Sequence, residues 1–177
     1  RVATFTLPEG ISGEYRIAIE VPGSTSPQQG PYEFIYTDNN RGVSNSFIVS
    51  LAPSADLRVT EITAPETGVE GTVIDVTWTV FNQGTANANG TWVDRVYLRK
   101  AGETGPGTLI GTYSYTGPLE AGKSYTRREE MRLPAKTSDR FEVTVVTDAA
   151  NNVYEHAAEG NNTLIDDGRW PPLINVT

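Results

Sequence analysis

The chain has 177 residues, enough to bury a core without covalent staples, and no cysteine, which excludes disulfides, thiolate metal sites and cysteine nucleophiles. Its 14 basic and 22 acidic residues give a formal net charge of −8, so neither nucleic acid nor an anionic membrane surface is an expected partner. Three Trp, eight Tyr and five Phe, set among short alternating runs, argue for a folded β protein and against disorder.

The first residues, Arg1-Val2-Ala3-Thr4, have no signal-peptide layout and no initiating Met, so the chain reads as an excised segment. No apolar run approaches the roughly 18 residues of a membrane span, and no direct membrane insertion is expected. Alternating Tyr15, Ile17 and Ile19 lead into turn chemistry at Gly23-Ser24-Thr25-Ser26-Pro27-Gln28-Gln29-Gly30. Leu51-Ala52-Pro53-Ser54-Ala55-Asp56 is a connector too short for a floppy tether. Beyond it, Leu57, Val59 and Ile62 predict a strand closed by Pro65 and Gly68. Ile74, Val76, Trp78 and Val80 alternate through a second, which ends at Asn82-Gln83-Gly84. Trp92, Val96 and Leu98 mark one face of a third, with Asp94 on the same face. A fourth is expected over 109–115, stopped by Gly117-Pro118, and a fifth over 125–133, with Thr126, Arg128, Glu130 and Arg132 outward. Phe141, Val143 and Val145 form the sixth, and 173–176 the seventh. No stretch of about 11 residues has helical apolar spacing. Seven strands and no helix predict an all-β, immunoglobulin-like sandwich whose core joins Val76, Trp78, Val96, Leu98, Val143 and Val145.

An internal repeat sets the organisation. Leu7-Pro8 matches Leu133-Pro134, Ser12 matches Ser138, and Tyr15, Ile17 and Ile19 match Phe141, Val143 and Val145, all at an offset of 126 (133 − 7). Tyr32-Glu33 matches Tyr154-Glu155 and Asn39-Asn40 matches Asn161-Asn162 at an offset of 122 (154 − 32), the difference being a loop insertion in the first copy. The first copy lacks a counterpart of 57–131. Residues 1–53 are therefore expected to be the C-terminal half of a preceding repeat, and 54–177 a complete sandwich.

Several segments in order carry a family resemblance: Ala55-Asp56-Leu57-Arg58-Val59, the run from Val76 to Ala86, Trp92-Val93-Asp94-Arg95-Val96-Tyr97-Leu98, Tyr154-Glu155, and Glu159-Gly160-Asn161-Asn162. Together they resemble CARDB, the cell-adhesion-related domain found in bacteria. The resemblance covers 55–163, with 6–51 as a half-copy. It implies an immunoglobulin/fibronectin-like sandwich often found in tandem, an extracytoplasmic location, an association with adhesion, and no shared catalytic residue. The stretch Asp166-Asp167-Gly168-Arg169-Trp170-Pro171-Pro172 departs from it by its length.

His156 is the only histidine, and it lies in a polar stretch with no Gly-x-Ser-x-Gly nearby, so a surface-loop role is expected and catalytic residues are not. Asp148, Asn151, Asn152, Glu155, Glu159, Asn161 and Asn162 crowd the link between the sixth and seventh strands. Such oxygens are candidate calcium ligands, although the spacing is not that of an EF-hand; the favoured reading is that Asn and Asp cap turns there. Asp94 is either half-exposed at an edge or hydrogen-bonded inside the sandwich, with a loop amide or Arg127 as partner. Tyr97, Tyr113, Tyr115 and Trp170 either form a glycan-stacking platform or cover a sheet face. The function expected is a non-catalytic extracellular repeat module, a spacer or adhesion domain in a larger bacterial surface or secreted protein. Its partners would be neighbouring repeats of the same chain. The alternative is a module binding a glycan or a surface protein through loops at one end.

Overall fold

The computed structural model describes residues 2–21, 23, 39–165 and 174–177, and the chain divides into two compact units, 1–52 and 53–177. Residues 24–30 of the expected insertion, the repeat match at Tyr32-Glu33, Trp170 with the rest of 166–172, and Leu173 lie outside the described residues.

Among the described residues the first unit contains four three-residue strands: β1 (Gly13–Tyr15), β2 (Ala18–Glu20), β3 (Arg41–Val43) and β4 (Phe47–Val49). They form two antiparallel ribbons, β1 with β4, which sets Tyr15 opposite Phe47, and β2 with β3, which sets Ile19 opposite Gly42. Three residues per strand bury little apolar surface, and Ile19 remains 66% exposed.

The second unit is a two-sheet sandwich built from β5 (Leu57–Thr63), β6 (Thr67–Gly68), β7 (Val73–Asn82), β8 (Thr91–Lys100), β9 (Thr108–Thr116), β10 (Ser124–Arg132), β11 (Asp139–Val146), β12 (Thr163–Ile165) and β13 (Ile174–Val176). One sheet runs β10-β7-β5; the other runs β6-β13-β11-β8-β9, with β12 also on β11. Among the described residues all pairs are antiparallel except β6 with β13. The short β6 and β12 were not separable in the sequence, because two or three residues are too few for alternation to register. No α-helix occurs among the described residues.

The period-2 pattern explains the packing. Ile74, Val76, Trp78 and Val80 of β7 face Trp92, Val96 and Leu98 of β8 and Val143 and Val145 of β11, none more than 6% exposed. Trp78 and Trp92 are the largest side chains in this layer and are fully buried. β7 turns out of its sheet at Asn82-Gln83-Gly84, where a Cβ on Gly84 would lie 2.5 Å from the Ser54 carbonyl oxygen, so only glycine lets the connector pass this closely.

Candidate functional site

Two clusters of buried polar groups are set into this frame. The first lies between the sheets. Alternation along β8 points Asp94 into the core, in line with Trp92 and Val96, and it is 0% exposed. Three donors meet it: Trp78 Nε1–H on Oδ2 (2.8 Å), Tyr125 O–H on Oδ2 (2.7 Å) and Thr147 O–H on Oδ1 (2.8 Å). Trp92 Nε1–H donates in turn to the Tyr125 oxygen at 3.2 Å. The Tyr125 ring stacks on Tyr115 with centroids 4.0 Å apart, which fixes the phenol in place. Burial pushes the Asp94 carboxyl above its ordinary range, and the three hydrogen bonds pull it part of the way back. Burial and the neighbouring carboxyl push the Tyr125 phenol far up, so it stays a donor at every physiological pH.

Asp94 is therefore hydrogen-bonded inside the sandwich, but its partners are side chains of β7 and β10 and a threonine just past β11. Arg127 is not among them. Its Nε–H donates to Glu129 Oε1 (2.7 Å) and its Nη1–H to the Ser114 carbonyl (2.7 Å), with the guanidinium 5.3 Å from the centre of the Tyr113 ring. Of the described tyrosines weighed for stacking, Tyr113 and Tyr115 pack against the core from one face of β9, and Tyr97 is not on that face. Tyr113 pairs across the strands with inward Asp94, and Tyr115 with inward Trp92, while Tyr97 is on the alternate register of β8.

The second cluster is a corner where the 147–162 link crosses the start of β5. Asp148, at φ 42°, caps its own turn: the N–H groups of Asn152 (2.9 Å) and Val153 (2.8 Å) donate to its two oxygens. Glu155, 1% exposed, accepts the Leu57 N–H at 2.8 Å, fastening the link to the first strand. Glu159 Oε1 accepts the Glu155 N–H at 3.1 Å, and Asn161 Nδ2–H donates to Asp56 Oδ1 at 2.9 Å. Asn82 completes the corner: Oδ1 accepts the N–H groups of Asp56 and Gly84, both at 3.1 Å, and Nδ2–H donates to the carbonyls of Ala86 and Leu119. Glu155 Oε2, Glu159 Oε2, Asn161 Oδ1 and both polar atoms of Asn162 are buried without a hydrogen-bond partner. Burial pushes the Glu155 carboxyl up to about 7; the Leu57 N–H and the adjacent Asn162 amide favour its charged form, and Glu159 and Asp148 oppose it.

Of the residues considered for calcium, Glu155, Glu159, Asn161 and Asn162 meet at this corner. Asp148 has both oxygens occupied by backbone amides, and Asn151 and Asn152 are exposed, with Asn152 Nδ2–H donating to the Thr91 carbonyl. Among the described residues no three His, Cys, Asp or Glu side chains are grouped so as to hold a metal. His156 is exposed and at φ 55°; its Nδ1 lies 3.3 Å from the Tyr154 hydroxyl. Tyr125, Thr147, Asp56 and Asn82 were not singled out as partners from the sequence. The available signal was the Asn-Gln-Gly turn at 82–84, which marks a corner but not what it clasps. An open groove of about 780 Å³ at the other end of the sandwich is lined by Thr63, Pro65, Val69, Ile74 and Arg128, with no buried polar group converging on it.

Among solved structures, the chain is similar to a CARDB domain from Pyrococcus furiosus, determined as a crystal structure in complex with di-metal ions and in solution by NMR. Identity is 21% and the TM-score 0.49 for both, over 70% and 71% of this chain and 90% and 98% of those. A β-glucosidase from Listeria innocua in complex with glucose is similar at 15% identity and a TM-score of 0.39, over 75% of this chain but 16% of its own. No curated protein matches the chain. The CARDB family matches residues 54–166, which span the β5–β12 sandwich and both polar clusters, and the chain belongs to that family.

Proposed function

We propose that the protein is a non-catalytic extracellular repeat module, a spacer or adhesion domain within a larger bacterial surface or secreted protein. CARDB is a non-catalytic, adhesion-related module family, which sets the general class. The observation that carries the reading is the state of Asp94. The carboxyl at the centre of the sandwich is 0% exposed and held by three donors of the same fold, so it stiffens the core and is out of reach of any substrate. The sole histidine is exposed, and the group beside its ring is the Tyr154 hydroxyl rather than a serine or threonine. No helix among the described residues is long and apolar enough to cross a membrane.

Small-angle scattering on a polypeptide holding two complete repeats tests the spacer role: an elongated, stiff particle is expected, and a compact globule overturns it. A glycan array and a pull-down from host-surface extract address adhesion. A saturable binder that competes with substitutions in the end loops would move the assignment to a ligand-binding module.

A further inference from the structure

Asn89 is the one asparagine in the sequence that is followed by glycine. It lies in the connection from β7 to β8 and is exposed, its side-chain amide held by a single 3.2 Å hydrogen bond from Nδ2–H to the Asn87 carbonyl. The main-chain nitrogen that follows it is equally open. Gly90 is exposed at φ 94°, and its N–H makes no hydrogen bond among the described residues, whereas its carbonyl accepts the Gly117 N–H at 2.8 Å. Apart from its chain neighbours, nothing lies within 4 Å of where a Cβ on Gly90 would sit. Two other asparagines are guarded at this same atom. The N–H after Asn82 donates to the Asp56 carbonyl at 2.8 Å, and the N–H after Asn151 donates to Asp148 Oδ1 at 2.9 Å.

We infer that Asn89-Gly90 is a self-modification site: the Asn89 amide converts to aspartate or isoaspartate in the folded protein, and the isoaspartate form unclasps this end of the sandwich. The Gly90 nitrogen attacks Asn89 Cγ. The new N–Cγ bond closes a five-membered succinimide, the Cγ–Nδ2 bond breaks, and ammonia leaves with the Gly90 proton. Water then adds to the ring. Opening at Cγ gives aspartate; opening at the main-chain carbonyl gives isoaspartate, whose backbone runs through Cβ and Cγ and is one carbon longer. Neither step needs an oxidant, a cofactor or an enzyme. Glycine permits the attack, because without a Cβ its nitrogen is unhindered and its backbone can turn toward the side chain. The location gives the product a consequence. Ala88 and Leu119 exchange both main-chain hydrogen bonds, at 2.9 Å each, and two residues on the Gly90 carbonyl holds Gly117, so 88–90 grips 117–119 in one register. An extra carbon between Ala88 and Gly90 puts these two rungs out of step. The Gly117 rung lies against the core: a Cβ on Gly117 would be 3.2 Å from the Trp92 ring. Aspartate adds a charge but keeps the register.

The test incubates the intact 1–177 chain at neutral and mildly alkaline pH and follows every asparagine by peptide mass spectrometry, with isoaspartate separated from aspartate by elution. Loss of the amide is expected first at Asn89, faster at the higher pH, with isoaspartate among the products. Asn89→Gln, which would have to close a six-membered ring, should slow the loss at this position by at least about tenfold, or about 1.4 kcal/mol on the barrier. The amides of Ala88, Gly117 and Leu119 should exchange hydrogen at least about tenfold faster in the isoaspartate fraction. They should be unchanged in Asn89→Asp, which carries the charge without the extra carbon. An Asn89 that stays intact in the folded chain while the guanidinium-unfolded chain loses the amide overturns the site. Products confined to aspartate, or exchange at 88, 117 and 119 that does not change in the isoaspartate fraction, overturn the unclasping.

Discussion

Asp94 and Glu155 are both carboxyls with almost no exposed surface, and the difference between them lies in how many donors each meets. Asp94 accepts from Trp78, Tyr125 and Thr147, whereas Glu155 accepts the Leu57 N–H, has the Asn162 amide adjacent, and leaves Oε2 without a hydrogen bond of normal geometry. A low-dielectric interior strengthens a satisfied network and penalises an incomplete one. The Asp94 cluster should therefore behave as permanent structure, and the Glu155 corner as the part of the sandwich that responds to conditions.

The most forceful way to break this contrast is Asp94→Ala, which leaves the Trp78, Tyr125 and Thr147 donors facing a small cavity. A loss of roughly 3–5 kcal/mol in urea unfolding is expected. A loss below about 1 kcal/mol would mean that water enters and replaces the carboxylate.

The next effect is a pH dependence at the corner. Glu155 is held near 7 when folded against 4.5 when free, so the folded state binds the proton more tightly. Its contribution is fully present below about pH 4.5, falls as pH rises, and is gone above about 7. Unfolding at pH 5 and pH 8 should differ by on the order of 2–3 kcal/mol from this group. Glu155→Gln should flatten that difference, and a slope unchanged by the variant would assign the pH dependence to another group.

A smaller change sharpens the first cluster. Thr147→Val keeps the shape and removes one of the three donors, and about 1–2 kcal/mol is expected. It should also shift Asp94 further above its ordinary range, read as a carboxyl chemical shift in an NMR titration. The smallest effect expected is that of calcium. At about pH 5, where Glu155 carries its proton, millimolar calcium against an EDTA control should leave Tm unchanged. A rise of several degrees, lost in Glu159→Gln, would instead assign the unpaired oxygens to a cation.

Much of the fold was legible in the sequence because alternation is a local signal. Ile74 to Val80, Trp92 to Leu98 and Phe141 to Val145 each declare an inward row, and all three rows are buried except at Phe141, which is half-buried at the start of its row. The same logic placed Asp94 on the inward face but could not name its partners, since Tyr125 and Thr147 lie 31 and 53 positions away. The corner shows the same limit: Asn161-Asn162 and Asn82-Gln83-Gly84 read as turns, but the bond from Leu57 to Glu155 spans 98 positions.

From the sequence alone came the strand content, the repeat, the absence of thiol chemistry and the family resemblance, all written in residue type and short spacing. Only the tertiary structure decided which buried carboxyl is saturated with donors and which is not. It also decided that Val145 is fully buried while Ile19, its match in the repeat, is 66% exposed. The physical reason is that side-chain direction is set by the local backbone, whereas desolvation and hydrogen-bond satisfaction depend on which distant strand arrives opposite.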